Sequence, residues 1–212
     1  MEEASEVAGS RRIRWLANAT VCVSGACIMV LELLAGRVIS RHVGQSLYTW
    51  TAIIGVVLAG LSVGNFAGGI IADRWPPRRI LAALFLLSAG GALAVLALND
   101  LAGRWSVLWD QAWPARIFWH VAITFLLPAG LLGMIGPVAA RMAVDADSRT
   151  GRAVGDVYAW GSLGAIAGTF LAGFVLIPAF GVTKIIGGVS GILALAGLLY
   201  AAVTLHSERC QP

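Results

Sequence analysis

The sequence predicts an all-α, polytopic membrane protein of six transmembrane helices. Three observations predict it. The 212 residues are 58% hydrophobic and only 12% charged, with a mean hydropathy of +0.83, far from the balance of a soluble domain. Six stretches are each apolar over the roughly 20 residues needed to cross about 30 Å of hydrocarbon. Basic residues sort by side: placing the amino terminus in the cytoplasm puts Arg11, Arg12, Arg14, Arg74, Arg78, Arg79, Arg141, Arg149, Arg152 and Arg209 inside, and Arg37, Arg41, Arg104, Arg116 and Lys184 outside. This 10 to 5 division of the 15 basic residues is the asymmetry of cytoplasmic loops. It accounts for the net charge of +4 without nucleic acid as a partner. The partner expected first is the lipid bilayer, with the chain multi-pass in the cell inner (cytoplasmic) membrane and both termini cytoplasmic. The expected layout is a cytoplasmic tail over 1–14, a membrane domain over 15–205 and a second tail over 206–212.

The first nine residues, with Glu2, Glu3 and Glu6, read as a mobile tail. The first span, Trp15 to Val38, follows Arg11, Arg12 and Arg14; it is span-length and lacks an A-x-A cleavage pattern, so it is expected to be retained. Its Cys22 and Cys27 point about 140° apart on a helix and read as small packing residues. With Cys210 they make no disulfide framework and no metal spacing. Glu32 is the one acid well within a span, where a carboxylate costs roughly 2.5 to 3.5 kcal/mol at mid-membrane. Arg37 lies about 140° around the helix from it, so its partner must come from another helix. Two readings stay open: a proton or cation site, or an acid near the outer interface bonded to Tyr48, Trp50 or backbone. Arg37 and Arg41 are expected to snorkel to headgroups.

The second span, Leu47 to Ala72, carries Gly60, Gly64 and Gly68 at intervals of four. Lipid tails are as apolar as leucine, so membrane helices gain from close backbone approach, which such a ladder permits. The span ends in "DRWPPRR", where Pro76 and Pro77 force a turn with Asp73, Arg74, Arg78 and Arg79 at its tip. The third span is Ile80 to Leu98. After it, Trp105, Trp109 and Trp113 recur every four residues, which fits a short helix on the outer membrane surface or a loop packed on the bundle by its tryptophans. The fourth span, Ile117 to Ala140, contains Pro128 and Pro137 with Gly130, Gly133 and Gly136 between them, where a bend is expected.

The fifth span, Val154 to Pro178, opens with Asp156 near its boundary and continues "YAWGSLGAIAGTF" from Tyr158. The second span reads "YTWTAIIGVVLAG" from Tyr48. Both start Tyr-x-Trp and run into glycine ladders, here Gly164 and Gly168, as expected of two inverted three-span units in a 3+3 repeat. The sixth span, Val182 to Leu205, repeats the device with Gly187 and Gly191.

"GGIIADRWPPRR" resembles the loop between helices two and three of the major facilitator superfamily (MFS), where an Asp-Arg pair and later arginines form a cytoplasmic gate; a glycine of that pattern is replaced here by Pro76 or Pro77. More specifically, the stretch from Glu32 to Arg74 together with "TGRAVGDVYAWGSLGAIAGTFLAGFVLIPAFG" resembles the membrane portion of fused MFS/spermidine synthase-like proteins. The resemblance implies an MFS-half-like bundle and a cytoplasmic gate at Asp73, Arg74, Arg78 and Arg79. It also suggests a polyamine or other small cationic amine as cargo. Members usually carry a soluble aminopropyltransferase-like domain, and this chain is expected to lack one. No stretch reads as the Gly-rich strand-turn-helix unit such a domain requires.

Two functions follow as expectations. The first is a transporter-like module working as a homo-oligomer or with a separate membrane or synthase-like partner. Its substrate or proton site would draw on Glu32, Tyr48, Trp50, Asp156 and Tyr158. The second is a non-transporting scaffold or anchor for a separate aminopropyltransferase-like subunit or other membrane complex. Enzymatic chemistry, a cofactor and a metal are not expected, because His42, His120 and His206 are scattered along the sequence without a second ligand or a Ser-Asp pair. His120, beside Trp119, is placed at the outer interface.

Overall fold

The structure is a computed structural model that describes residues 2–146 and 149–209, with side chains described over 9–146 and 149–205. Among the described residues all regular structure is helical. Helix α1 covers Glu2–Val43, α2 Leu47–Arg74, α3 Pro77–Arg104, α4 Ser106–Trp109, α5 Trp113–Asp145, α6 Thr150–Phe170, α7 Ile177–Ala179 and α8 Val182–Arg209. A π-helical stretch, Leu171–Leu176, joins α6 to α7. Six of these segments are long and apolar enough to cross a membrane: Gly9–Val43, Leu47–Arg74, Pro77–Arg104, Trp113–Asp145, Thr150–Ala179 and Val182–Leu205. Each contains one of the six predicted spans. The helices overrun those spans because backbone hydrogen bonding continues past the point where side chains turn polar. At the amino terminus α1 extends over residues that the sequence suggested as a mobile tail.

The turns follow local chemistry. Ser46 caps α2 by accepting from the Thr49 backbone N–H at 3.2 Å, supplying a partner for one of the helix's orphan donors. Pro76 and Pro77 separate α2 from α3, with Pro77 in the first turn of α3, where a missing N–H costs nothing. The three tryptophans after the third span do not share one surface helix. Trp105 caps α3, Trp109 ends the one-turn α4, and Trp113 starts α5 immediately before Pro114. Proline just inside a new helix start breaks the apparent period of four.

Helix α5 continues through Pro128 and Pro137, where the sequence expects a bend. Regular α-geometry is lost in the fifth span, just before Pro178.

Helix α2 packs most extensively on α5, α1 on α6, and α3 on α8 and α5. Between them lies one apolar core that includes Leu34, Ile39, Phe85, Ile117, Ile135 and Leu193. The two glycine-rich helices make the closest crossings. A Cβ added at Gly60 would lie 2.8 Å from Ala129 Cβ, one at Gly68 would lie 2.7 Å from the Met134 carbonyl oxygen, and one at Gly64 would overlap the Gly130 carbonyl. At the other crossing, Cβ atoms at Gly164 and Gly168 would overlap the Cys22 and Ala26 carbonyls of α1. Helices α2 and α6 are the least covered by the rest of the bundle, leaving Phe66, Ile166 and Phe170 exposed. Apolar side chains facing outward suit a hydrocarbon solvent.

Candidate functional site

The α2–α5 and α1–α6 crossings leave a cavity of about 680 Å³ between the four helices. Ser24 and Ile28 reach it from α1, Asn65 from α2, Pro137 from α5, and Tyr158 and Ser162 from α6. Gly133 and Gly136 of α5 form part of its wall, and a Cβ at Gly136 would come within 3.8 Å of Asn65 Oδ1. Among the described residues its lining is apolar with neutral donors and acceptors, an aromatic ring and no charged side chain. Such a wall solvates a polar group through amide and hydroxyl dipoles, and the Tyr158 ring offers a face to a cation. Among the described residues, no group of three or more His, Cys, Asp or Glu side chains is placed to hold a metal ion.

The structure does not bring the five sequence-predicted substrate residues together. Tyr158 lines the central cavity. Glu32 is half-buried on α1, four residues past Ile28 and so one turn further along nearly the same face, outside the cavity's lining. Tyr48 is exposed at the start of α2. Trp50 lies over α1, its ring 3.1 Å from where a Cβ on Gly36 would sit. Asp156 lines a separate cavity near the start of α1.

Asp73, placed by the sequence in a gate with Arg74, Arg78 and Arg79, has its ion pair across the bundle: Arg141 Nη1 of α5 lies 3.7 Å from Asp73 Oδ1. Arg141 Nε also lies 3.0 Å from Asp145 Oδ1, one turn further along α5. The guanidinium thus bridges two carboxylates, one on each helix. Arg74 ends α2, Arg78 and Arg79 start α3, and Arg78 is half-buried. Sequence reasoning overlooked Arg141. Its position at the end of the fourth span, on the same side as the turn after the second, was the available signal.

The expectation of scattered histidines needs correcting. His42 and His120 meet at the opposite end of the bundle with ring centroids 5.3 Å apart, because the ends of α1 and α3 and the start of α5 converge there. His120 is buried within that end of the bundle, and its Nε2 lies 3.0 Å from Asn99 Oδ1. His42 Nε2 is 3.8 Å from Asp100 Oδ1, and Arg116 donates to the His42 carbonyl at 3.5 Å. The Arg116 guanidinium carbon lies 3.2 Å from the Trp109 ring centroid, and the Trp109 indole N–H donates to the Gly103 carbonyl at 3.1 Å. Of the two readings of the tryptophan-rich segment, this contact favours a loop held on the bundle.

The chain is similar to three curated proteins. It is 27% identical over 164 residues to polyamine aminopropyltransferase 2 of Ralstonia nicotianae, which is 77% of this chain and 31% of that protein. Polyamine aminopropyltransferase 1 of the same organism matches at the same identity over 77% of this chain and 30% of its own length. Polyamine aminopropyltransferase 2 of Streptomyces coelicolor is 27% identical over 207 residues, 92% of this chain and 36% of that protein. The chain therefore spans about a third of the length of the relatives it matches. No family model and no solved structure matches it.

Proposed function

We propose that the chain is a transporter-like membrane module, related to the membrane part of fused MFS/spermidine synthase-like proteins, whose central cavity receives a small cationic or amine solute. The cavity itself carries this reading: four spans border an open-sided space of about 680 Å³ with neutral polar groups and one aromatic ring, a setting for a polar solute within the bilayer. Glu32 supplies the charge, one turn along α1 from the cavity wall. The relatives' names supply the amine. Exchanging spans one to three for spans four to six turns the α2–α5 crossing into the α6–α1 crossing, which supports an MFS-like 3+3 arrangement. Gly60, Gly64, Gly68, Gly164 and Gly168 serve as close-packed sliding faces in this reading. Asp73, Arg74, Arg78 and Arg79 form the cytoplasmic latch together with Arg141. The sparsely covered face of α2 is where a second copy or another membrane partner would sit. Both termini lie in the cytoplasm, and the stretch itself carries no catalysis.

The test is uptake of labelled spermidine into proteoliposomes. Wild-type protein is expected to exceed empty liposomes, with Glu32→Gln and the cavity-filling Asn65→Leu both slower. Flux that is absent, or equal in all three, overturns the reading. The relatives' names favour a second reading, a scaffold for a separate aminopropyltransferase-like subunit. It expects Glu32→Gln to be neutral and Arg78→Gln/Arg79→Gln to weaken capture of such a subunit by the chain in nanodiscs.

A further inference from the structure

A second cavity, of about 450 Å³, opens between the first turns of α1's apolar run and the start of α6. Arg11, Arg14, Trp15 and Asn18 line it from α1, and Asp156 and Trp160 from α6. The Ser10 hydroxyl, on its rim, donates to the Ala146 carbonyl, which ties the start of α1 to the end of α5. Asn18 is only 8% exposed, Arg14 and Asp156 are half-buried and Arg11 is open to solvent. The Trp15 and Trp160 rings pack at 5.7 Å between centroids, tilted by 60°.

The charges on this wall decide the class of ligand. Among the described lining residues two guanidiniums and one carboxylate leave a net charge of +1, so an amine cation drawn by Asp156 and the indoles would meet two like charges. A phosphodiester brings the single negative charge that balances the wall, and the planar guanidinium fork matches its oxygens. Position then decides the source. The cavity sits where the arginines at 11, 12 and 14 give way to the apolar run from Trp15, and two indoles mark that level as the membrane boundary. Beyond Trp160, exposed Leu163, Ile166 and Phe170 continue along α6 as a track for acyl chains. We infer that this cavity is a headgroup site for an anionic phospholipid, with Arg11 and Arg14 holding the phosphodiester, Asn18 donating to it, and Trp15 and Trp160 flanking the glycerol region.

The test uses the full chain in zwitterionic detergent, with phosphatidylglycerol as the probe and native mass spectrometry counting bound lipid. Phosphatidylglycerol is expected to bind, and Arg11→Gln/Arg14→Gln to weaken it about tenfold or more. Asp156→Asn, which removes the opposing charge, is expected to hold it as tightly or more tightly. Phosphatidylcholine binding as well as phosphatidylglycerol, or an arginine variant binding like wild type, overturns the inference. Soluble glycerophosphoglycerol should not compete at concentrations comparable to the lipid; if it does, the site serves a free phosphodiester and the lipid assignment fails. Tryptophan quenching gives an answer even if the arginine variant does not fold. Brominated phosphatidylglycerol should quench wild-type fluorescence more than brominated phosphatidylcholine, and Trp15→Phe/Trp160→Phe should abolish that difference. Equal quenching by both lipids in the wild type overturns the proposal.

Discussion

Arg141 Nη1 lies 3.7 Å from Asp73 Oδ1 and so joins the end of α5 to the end of α2 across the arginine-rich face of the bundle. Both side chains are largely solvated, 49% and 73% exposed, and exposed pairs contribute at most about 1 kcal/mol. A double-mutant cycle with Arg141→Gln and Asp73→Asn, read by thermal unfolding in detergent, should give a coupling energy below about 1 kcal/mol that shrinks as salt rises. A larger, salt-insensitive coupling would mean the pair is shielded by something that covers this face.

The glycine crossings are predicted to be far less forgiving, and to differ from glycines elsewhere on the same helix. A methyl at Gly64 would overlap the Gly130 carbonyl, whereas one at Gly55 meets nothing within 4 Å. Gly64→Ala should destabilise by about 1 to 3 kcal/mol through forced separation of α2 and α5. Gly55→Ala should be neutral or stabilising by up to about 1 kcal/mol, because alanine loses less backbone freedom in a helix. Thermal midpoints of the two variants side by side test this. Equal midpoints would sink the close approach of α2 and α5.

His120 and Asn99 are buried partners, so removing one strands the other. His120→Leu should cost about 1 to 3 kcal/mol because the Asn99 amide is left without its partner in an apolar setting. Adding Asn99→Leu should recover part of that loss, although each change alone destabilises. Thermal unfolding of the two single variants and the double checks the sign; a double variant as unstable as the sum would place the cost in packing.

These contrasts explain which features could be read from the chain. Six spans follow from apolar length, since runs of about 20 apolar residues match the reach of a helix across hydrocarbon and are about twice the length a barrel strand needs. The glycines at 60, 64 and 68 are visible as a face, because the period of a helix is fixed. Which helix meets that face is not visible. The same limit hides Arg141 from Asp73 and His42 from His120, which come together through the tertiary arrangement of helix ends. Asp156 and Tyr158 show the converse. Two residues apart on a helix they point about 200° apart, and each lines a different cavity. Neighbours in sequence were grouped into one site that the helix itself divides. The tryptophan stripe left two readings open because a period of four is meaningful only within one helix, and a cap at Trp105 and a start at Trp113 interrupt it.

The π-helical stretch Leu171–Leu176 gives the last prediction, in which Pro178, two residues beyond it, is the expected cause. In an α-helix the residue at 178 would donate to the carbonyl of Phe174; proline has no N–H to give, and its ring clashes with that carbonyl. A wider π-turn before the proline moves the carbonyl away, at the cost of poorer hydrogen bonds within the turn. Pro178→Ala removes both the clash and the missing donor, so the stretch is free to close into α-geometry and the helix should gain stability, by about 1 kcal/mol or more. Hydrogen–deuterium exchange of the amides over 171–180 reads this directly: protection should rise in the variant while α2 and α5 stay unchanged. On the transporter reading proposed above, with the fifth span bending at this point, the same variant should also slow spermidine flux without weakening the fold. Unchanged exchange over 171–180 would show that the π-turn is set by packing of α6 on α1 instead of by the proline.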